Sequence, residues 1–292
     1  MTQKIEIAAV HFQASEDGLD TSQTVLRQFA AARQRLDGTH LDLAVFCEGM
    51  ASRGQTVGEA ESPEHPGMMF ELYRGFARDN HCVVAGSVKL KKNGRVYNSL
   101  IYLDGDGKLL GDYDKTHLTA DELAAGMTPG TGARVVETPA GRLGGVICFD
   151  LNFDGLRLAY AKLKPDILCF SSMYQGGFLQ QNWAYRCRAF WAAACKDYTS
   201  SVLDPLGRVL AQTDFYGRIA RATVNLDRFV MHQDYNEHKF ADILREYGPQ
   251  VRIDRASDLA TAVLYSDCSY SAAAIAAKYE LTAIDDYLFC QS

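Results

Sequence analysis

The chain has 292 residues, 47% of them hydrophobic and 11% aromatic, which suits one large globular domain or two small ones. A net charge of -6 leaves no basic footprint, so nucleic acid is not an expected partner. No apolar run approaches the roughly 18 residues needed to cross a bilayer, Met1-Thr2-Gln3-Lys4 opens no apolar signal region, and 8 cysteines without regular spacing read as reduced thiols of a cytoplasmic protein.

Strand-like and helix-like segments alternate along the chain. Ile5–Val10 reads as a strand, Gln23–Leu36 has apolar residues at helical spacing, and Leu41–Phe46 is a short apolar run of a buried strand. Gly67–Asn80 reads as a helix and Cys82–Val88 as another buried strand. Val96–Leu103 and Leu109–Tyr113 flank Asp104-Gly105-Asp106-Gly107, and the Asp-Gly pairs predict a β-hairpin. Arg134–Glu137 and Leu143–Ile147 are predicted strands around a turn at Pro139-Ala140-Gly141. Asp154–Lys164 is a predicted helix, Asp166–Phe170 a strand and Leu179–Lys196 a long helix. A second hairpin is predicted around Asp204-Pro205-Leu206-Gly207, and Ile219–Leu226 is the last strand of the block. Beyond His232 the pattern loosens into a tail with helices near Asn236–Tyr247 and Ser271–Tyr279. Hairpins mixed with strand–helix units imply an α/β protein with a mixed sheet.

Four reactive side chains fall at or just after predicted strand ends, where mixed α/β sheets carry their sites. Glu48 follows Leu43–Cys47, Lys115 follows the strand ending at Tyr113, Glu122 precedes Thr128-Pro129-Gly130, and Cys148 follows Gly144–Ile147. Taken singly, each has a plain structural account. A charged residue commonly ends a strand where the chain meets water, and a cysteine in an apolar strand is commonly a small core residue. Together they fit one chemistry. A thiol nucleophile needs a base to take its proton and a cation to favour the thiolate and a developing oxyanion. A helix beginning after Cys148 would add a positive dipole end.

Three blocks, Val45-Phe46-Cys47-Glu48, Tyr113-Asp114-Lys115-Thr116-His117-Leu118 and Gly145-Val146-Ile147-Cys148-Phe149-Asp150, resemble the nitrilase superfamily of carbon–nitrogen hydrolases. Tyr97-Asn98-Ser99, Gly105-Asp106-Gly107, Pro129-Gly130, Arg188-Ala189 and the Asp204–Leu210 hairpin support the likeness, which spans roughly residues 4 to 227. The resemblance implies a four-layer α-β-β-α sandwich over residues 1–231. Residues 232–292 would then be a C-terminal extension packing on the core or on a neighbouring subunit. It implies a homodimer or larger homo-oligomer and no metal or organic cofactor. By position, Cys148 would be the nucleophile, Glu48 the general base and Lys115 the oxyanion donor with the backbone N–H of Phe149. Glu122 would be a second glutamate that positions the lysine or the substrate.

The chain also departs from that pattern. Cys47 stands where proline usually precedes the first glutamate, Phe153-Asp154-Gly155-Leu156-Arg157 lacks the Pro-Glu of its block, and Phe190-Trp191 replaces a Glu-Asn pair. Nitrilases proper follow the nucleophile with Trp-Glu. Phe149-Asp150 therefore looks more like the amidase and N-carbamoyl-amine branches. The expected function is hydrolysis of a small linear amide or N-carbamoyl compound through a thioester acyl-enzyme, releasing ammonia or an amine. Alternatives are a nitrile hydrolase, a catalytically silent binding protein or scaffold on the same fold, and a redox-sensing thiol protein.

Weaker signals complete the reading. Arg157 can bind a substrate carboxylate, although a helical arginine is commonly solvated or ion-paired. Met173 and Tyr174, in the loop after a strand, and Trp183 can line the pocket, with loop and core packing as the plainer account. Asp104-Gly105-Asp106-Gly107 lacks the later ligands of a calcium loop. His81-Cys82 and His232 have no partners at zinc spacing, so no metal is assigned.

Overall fold

The computed structural model describes residues 4–13, 16, 18–50, 57–214 and 216–289. Two compact units divide the chain, one of Glu6–Ala222 and one of Met1–Ile5 with Thr223–Ser292.

The larger unit opens with β1 (Lys4–Val10), α1 (Thr21–Leu36), β2 (Leu43–Phe46), α2 (Met68–Asn80), β3 (Val83–Lys92), β4 (Arg95–Leu103) and β5 (Leu109–Asp114). It continues through α3 (Ala120–Ala124), β6 (Val135–Thr138), β7 (Gly141–Ile147), α4 (Asp154–Leu163), β8 (Ile167–Ser172) and α5 (Phe178–Cys187). Then come β9 (Phe190–Cys195), β10 (Ser201–Leu203), β11 (Val209–Gln212) and β12 (Ile219–Asn225). One six-stranded sheet runs β12-β1-β2-β3-β4-β5 and the other β11-β10-β9-β8-β7-β6. In each, a parallel core (β1–β2–β3, β7–β8–β9) is extended by antiparallel hairpins.

The sheets face each other. Ser171 Oγ of β8 donates to the Phe46 carbonyl of β2 at 2.9 Å. Gly145 of β7 lies so close to Tyr113 of β5 that a Cβ there would sit 2.7 Å from the tyrosine Cβ. On the outer side of the first sheet, Phe29 of α1 and Tyr73 and Phe76 of α2 pack around Phe46, with Phe29 stacked on it at 5.0 Å. On the outer side of the second, Tyr160 of α4 donates to the Gly145 carbonyl at 2.6 Å, and Trp183 of α5 lies against Trp191. The layers are thus α-β-β-α, as the resemblance implies. Each fully buried aromatic ring contributes roughly 1.5–3 kcal/mol. Asp20 fixes the start of α1 as an N-cap that accepts from the Gln23 N–H while Gln23 reaches back to the Asp20 N–H.

The structure corrects three sequence expectations. The predicted helix Leu179–Lys196 is two elements. α5 stops at Cys187, Arg188 takes a left-handed conformation (φ 54°), and Phe190–Cys195 is β9, buried at every position between β8 and β10. A strand buried on both faces carries no alternation, so Phe-Trp-Ala-Ala-Ala-Cys cannot be told from a buried helix by periodicity. Second, β3 does not end at Val88 but continues through Lys92, paired with β4. Third, no α-helix starts at the nucleophile. Cys148–Asn152 is a 3-10 turn and α4 begins only at Asp154, so the expected positive helix end is not at the thiol.

The smaller unit holds β13 (Arg228–His232), α6 (Gln233–Tyr247), β14 (Val251–Ala256), β15 (Thr261–Ser266), α7 (Ala272–Lys278) and α8 (Ile284–Phe289). Its two longer helices match the predicted ones. Its antiparallel sheet, ordered β13-β15-β14, is absent from the sequence reading. The unit has its own apolar cluster, built around Met231, Phe240, Ile243, Leu264 and Ile275.

Candidate active site

Glu48, Lys115 and Cys148 each lie just past the end of a strand, and the packed sheets bring those ends together. β2 ends at Phe46 and Glu48 follows two residues later, 4% exposed. β5 ends at Asp114 and Lys115 follows at once, 2% exposed. Its backbone is held on both sides: its N–H donates to the Asn98 carbonyl, and its carbonyl accepts from the Gly130 N–H, each at 2.8 Å. Gly130 packs directly on the Asp114 backbone, leaving no room for a side chain. This explains the Pro129-Gly130 turn noticed in the sequence. Cys148 directly follows β7 with φ at +49°, a left-handed conformation that costs a non-glycine residue of order 1–3 kcal/mol.

Glu122 arrives by local chemistry. Thr119 caps α3, its Oγ1 accepting from the Glu122 N–H at 3.3 Å while Glu122 Oε2 accepts from the Thr119 N–H at 2.8 Å. This reciprocal pair is a capping box, readable in Thr119-Ala120-Asp121-Glu122 but not used in the sequence reading. It leaves the fully buried Glu122 carboxylate facing Lys115, whose Nζ donates to Glu122 Oε2 at 2.9 Å and Oε1 at 3.1 Å. The same ammonium donates to Glu48 Oε1 at 3.3 Å. Asn98 of β4 binds both acids, Nδ2 donating to Glu48 Oε1 at 2.7 Å and to Glu122 Oε1 at 2.6 Å. The sequence suggested Asn98 only as part of a supporting tripeptide. Its bridging role needs three segments in contact and is invisible in one dimension.

The electrostatics follow from this geometry. Burial alone would lower the Lys115 pKa, but Glu48 and Glu122 outweigh it and hold it above the ordinary lysine value. For Glu122, burial pushes the pKa up, yet Lys115 and the hydrogen bonds from Thr119 and Asn98 bring it below its usual value. The Cys148 thiol is pushed up to about 12 by burial first and the Glu48 carboxylate second, against the opposing pull of Lys115 and the Met173 backbone N–H. Glu48 Oε2 is buried and accepts no hydrogen bond from the described residues.

Asp150 is a further site residue. It is fully buried and accepts from the Tyr113 hydroxyl at 2.7 Å, the His117 N–H at 2.8 Å and His117 Nδ1 at 3.0 Å. Tyr113 and His117 stand two residues either side of Lys115, so one carboxylate links the lysine loop to the nucleophile turn. In the sequence, Asp150 served only to separate branches of a family.

The remaining candidates are dispersed. Met173 lines a cavity of about 440 Å³ together with Glu48, Gly49, Asn98, Lys89 and Glu59. Tyr174 packs on the nucleophile turn, its hydroxyl accepting from Asn152 Nδ2 at 3.0 Å and its ring 6.1 Å from Phe149. Arg157 does not reach the cavity and pairs with Asp154 one helical turn away at 2.9 Å. Trp183, 2% exposed, donates to the Leu151 carbonyl at 2.9 Å and belongs to the layer of packing rings. Among the described residues, no group of three or more His, Cys, Asp or Glu is arranged to hold a metal ion. No described helix is long and apolar enough to cross a membrane.

Two face-to-face sheets with a thiol, a lysine and two glutamates at their strand ends define an α-β-β-α protein of the nitrilase superfamily. The carbon–nitrogen hydrolase family pattern matches residues 7–230, and the chain belongs to that family. It is 26% identical over 192 residues to a hydrolase of Schizosaccharomyces pombe, covering 57% of this chain and 60% of that one. It is 28% identical over 172 residues to the chloroplastic omega-amidase of Arabidopsis thaliana, covering 49% of this chain and 46% of that one. The chain thus spans between about half and six tenths of the length of these relatives. In structure it is similar to Saccharomyces cerevisiae Nit3, a member of branch 10 of the nitrilase superfamily. The TM-score is 0.64 at 20% identity, over 83% of this chain and 94% of that one, and this likeness bears on the fold.

Proposed function

We propose that the protein hydrolyses the carbon–nitrogen bond of a small linear amide or N-carbamoyl compound, with Cys148 forming a thioester acyl-enzyme and ammonia or an amine departing. The observation that carries this reading is the convergence of Glu48, Lys115 and Glu122 through shared hydrogen bonds beside a thiol placed in the field of both Glu48 and Lys115. The omega-amidase among its relatives supports an amide over a nitrile, as does Phe149-Asp150 after the nucleophile.

With its pKa raised to about 12, the resting Cys148 is a thiol at neutral pH, not a stored thiolate. Attack is therefore coupled to proton transfer. Glu48 takes the Sγ proton as sulfur bonds to the carbonyl carbon. The oxygen of the tetrahedral intermediate gains negative charge near the Lys115 ammonium, with the Phe149 N–H as a second donor. Collapse breaks the C–N bond, and Glu48 returns the proton to the departing nitrogen. Water, deprotonated by Glu48, then attacks the thioester and releases the acid and the thiol. Glu122 keeps Lys115 charged and aimed, and Asn98 bridges the two carboxylates.

The test is ammonia release across a panel of amides, carbamoyl amines and nitriles, with Cys148→Ala as control and intact mass measured during turnover. A substrate-dependent acyl adduct that is absent from Cys148→Ala is expected. Equal turnover by wild type and Cys148→Ala would overturn the mechanism.

A further inference from the structure

Lys196 stands outside the hydrogen-bonded set of Glu48, Lys115, Glu122 and Asn98, yet it touches the segment that carries the base. It directly follows β9 and is 6% exposed, and its Nζ donates to the Gly49 carbonyl at 2.8 Å. Among the described residues the partner of this ammonium is thus the backbone carbonyl next after Glu48 rather than a carboxylate. A buried ammonium held by a neutral acceptor is a costly choice for packing alone. The backbone of Lys196 is fixed as well. Its N–H donates to the Ser172 carbonyl at 2.8 Å, and it forms a parallel bridge with Phe12. Ser172 precedes Met173, whose backbone N–H is directed at the Cys148 sulfur. The Met173 side chain packs on the base turn so closely that a Cβ on Gly49 would meet its Sδ at 2.8 Å. Cys47, on the other side of Glu48, senses the same cation: burial pushes its thiol up, and the Lys196 charge is the largest opposing influence.

We infer that Lys196 is a positioning residue: it pins the turn that carries Glu48 to the segment that holds Cys148, and so sets the distance over which the thiol proton moves. Its backbone grips the nucleophile side and its ammonium the base side, reaching from the second sheet to the first. The base needs such an anchor because Glu48 lies beyond the paired residues of β2, where no ladder hydrogen bonds hold it. Cys47 also stands where a proline would have fixed the backbone angle. Asn98 and Lys115 aim the Glu48 carboxylate, whereas Lys196 holds the main chain from which it projects. An ammonium–carbonyl bond is charge-assisted and stronger than a neutral one. Proton transfer to a base is steep in distance, so a small drift of this turn costs chemistry before it costs binding. The inference rests on the hydrolase reading above for the proton transfer but not for the anchor.

The experiment is a double-mutant cycle with p-nitrophenyl acetate, a probe of the acylation step alone. Sulfur bonds to the acetyl carbon, the ester C–O bond breaks with its electron pair leaving as p-nitrophenolate, and the Sγ proton passes to Glu48. Release of p-nitrophenolate and intact mass are followed in wild type, Lys196→Met, Glu48→Gln and the double variant, with Cys148→Ala as blank. Lys196→Met should slow acetylation of Cys148 by roughly tenfold or more at unchanged half-saturation. Lys196→Arg, which keeps a charged donor, should recover at least about threefold of that loss. Glu48→Gln should cost about 10²–10⁴-fold. Adding Lys196→Met to Glu48→Gln should cost less than about twofold more, because the anchor then has no base to aim. A lysine that merely supports the fold would slow the Glu48→Gln protein by the same factor as wild type, and that result overturns the inference. So does wild-type acetylation in a Lys196→Met protein with a cooperative thermal melt. If Lys196→Met does not fold, Lys196→Gln, whose shorter arm stops short of Gly49, takes its place in the cycle. Acetylation of Cys148 that ignores Lys196 sinks the anchor and keeps the hydrolase reading. Absence of any Cys148-dependent acetylation in wild type sinks both, so the two failures are told apart.

Discussion

The Tyr113 hydroxyl donates to Asp150 Oδ2 at 2.7 Å, joining the residue two before Lys115 to the residue two after Cys148. His117 completes the clasp from the other side of the lysine through its backbone N–H and ring. The clasp forms because Gly145 lets Tyr113 pack directly on β7. The separation of cation and nucleophile is thus set by a buried carboxylate that touches neither.

Asp150→Ala should act through that spacing. It leaves the Tyr113 hydroxyl and the His117 N–H without their acceptor, for a stability loss of about 1–3 kcal/mol in denaturant unfolding. The misaligned site should lose tenfold or more in kcat with KM little changed, since small displacements cost chemistry more than binding. Asp150→Asn, which still accepts from Tyr113, should recover part of both. A folded Asp150→Ala protein with wild-type kcat would assign the clasp to stability alone.

Lys115→Ala should cost the chemical step roughly two to three orders of magnitude in single-turnover measurements if the ammonium stabilises the oxyanion. A few-fold loss would make the lysine structural. Stability should fall too, by about 3–5 kcal/mol, because two buried carboxylates lose their countercharge. The sign of the pH dependence can be worked out. The folded-state pKa of Glu122 is depressed, so its contribution is present above the unfolded value near 4.5 and lost as pH falls through the folded value. The folded-state pKa of Lys115 is raised, so its contribution is present below 10.5 and lost only on going more alkaline. The stability gap between wild type and Lys115→Ala should therefore be widest near neutrality and narrow as pH drops below about 4.5.

Cys148 should resist alkylation while the site is empty. A thiol pushed up to about 12 is almost wholly protonated at pH 7–9, and the thiolate is the reactive form. The rate of iodoacetamide modification at Cys148, followed by peptide mass mapping, should rise about tenfold per pH unit through pH 9 without a plateau. A plateau between pH 6 and 8 would mean a stored thiolate and would contradict the coupled proton transfer to Glu48.

Two glycines should respond oppositely to alanine. At Gly145 the new Cβ would meet the Tyr113 Cβ at 2.7 Å inside the packed sheets. Gly145→Ala should destabilise by roughly 1–3 kcal/mol and reduce kcat. Gly155, in the first turn of α4, has open space around it. Gly155→Ala should be neutral or stabilising by up to about 1 kcal/mol, with kcat unchanged. Thermal melts and steady-state rates on both variants check the contrast.

Short-range chemistry made much of this protein legible without coordinates. Asp-Gly pairs marked the β4–β5 hairpin, and apolar runs marked β2, β7 and β8. Glu48, Lys115 and Cys148 stood out because reactive groups at strand ends are few and came in a recognisable order. The capping box at Thr119 and Glu122 was equally local and could have been read the same way. The apolar stretch after Arg188 was not legible, because a strand buried on both faces shows no period.

The sequence by itself determined which groups were candidates and that they shared one chemistry, since a thiol, a base and a cation are properties of residue types. Only the tertiary structure decided which of them meet. Asn98 became a bridge, Asp150 a clasp and Lys89 a wall of the cavity because facing sheets and paired strands bring together residues tens of positions apart. Arg157 and Trp183, weaker pocket candidates in the sequence, were turned to a helix face and to the core. The contacts that set charge and distance at the site are cross-strand and inter-sheet contacts, and their partners become specified only once the chain has packed.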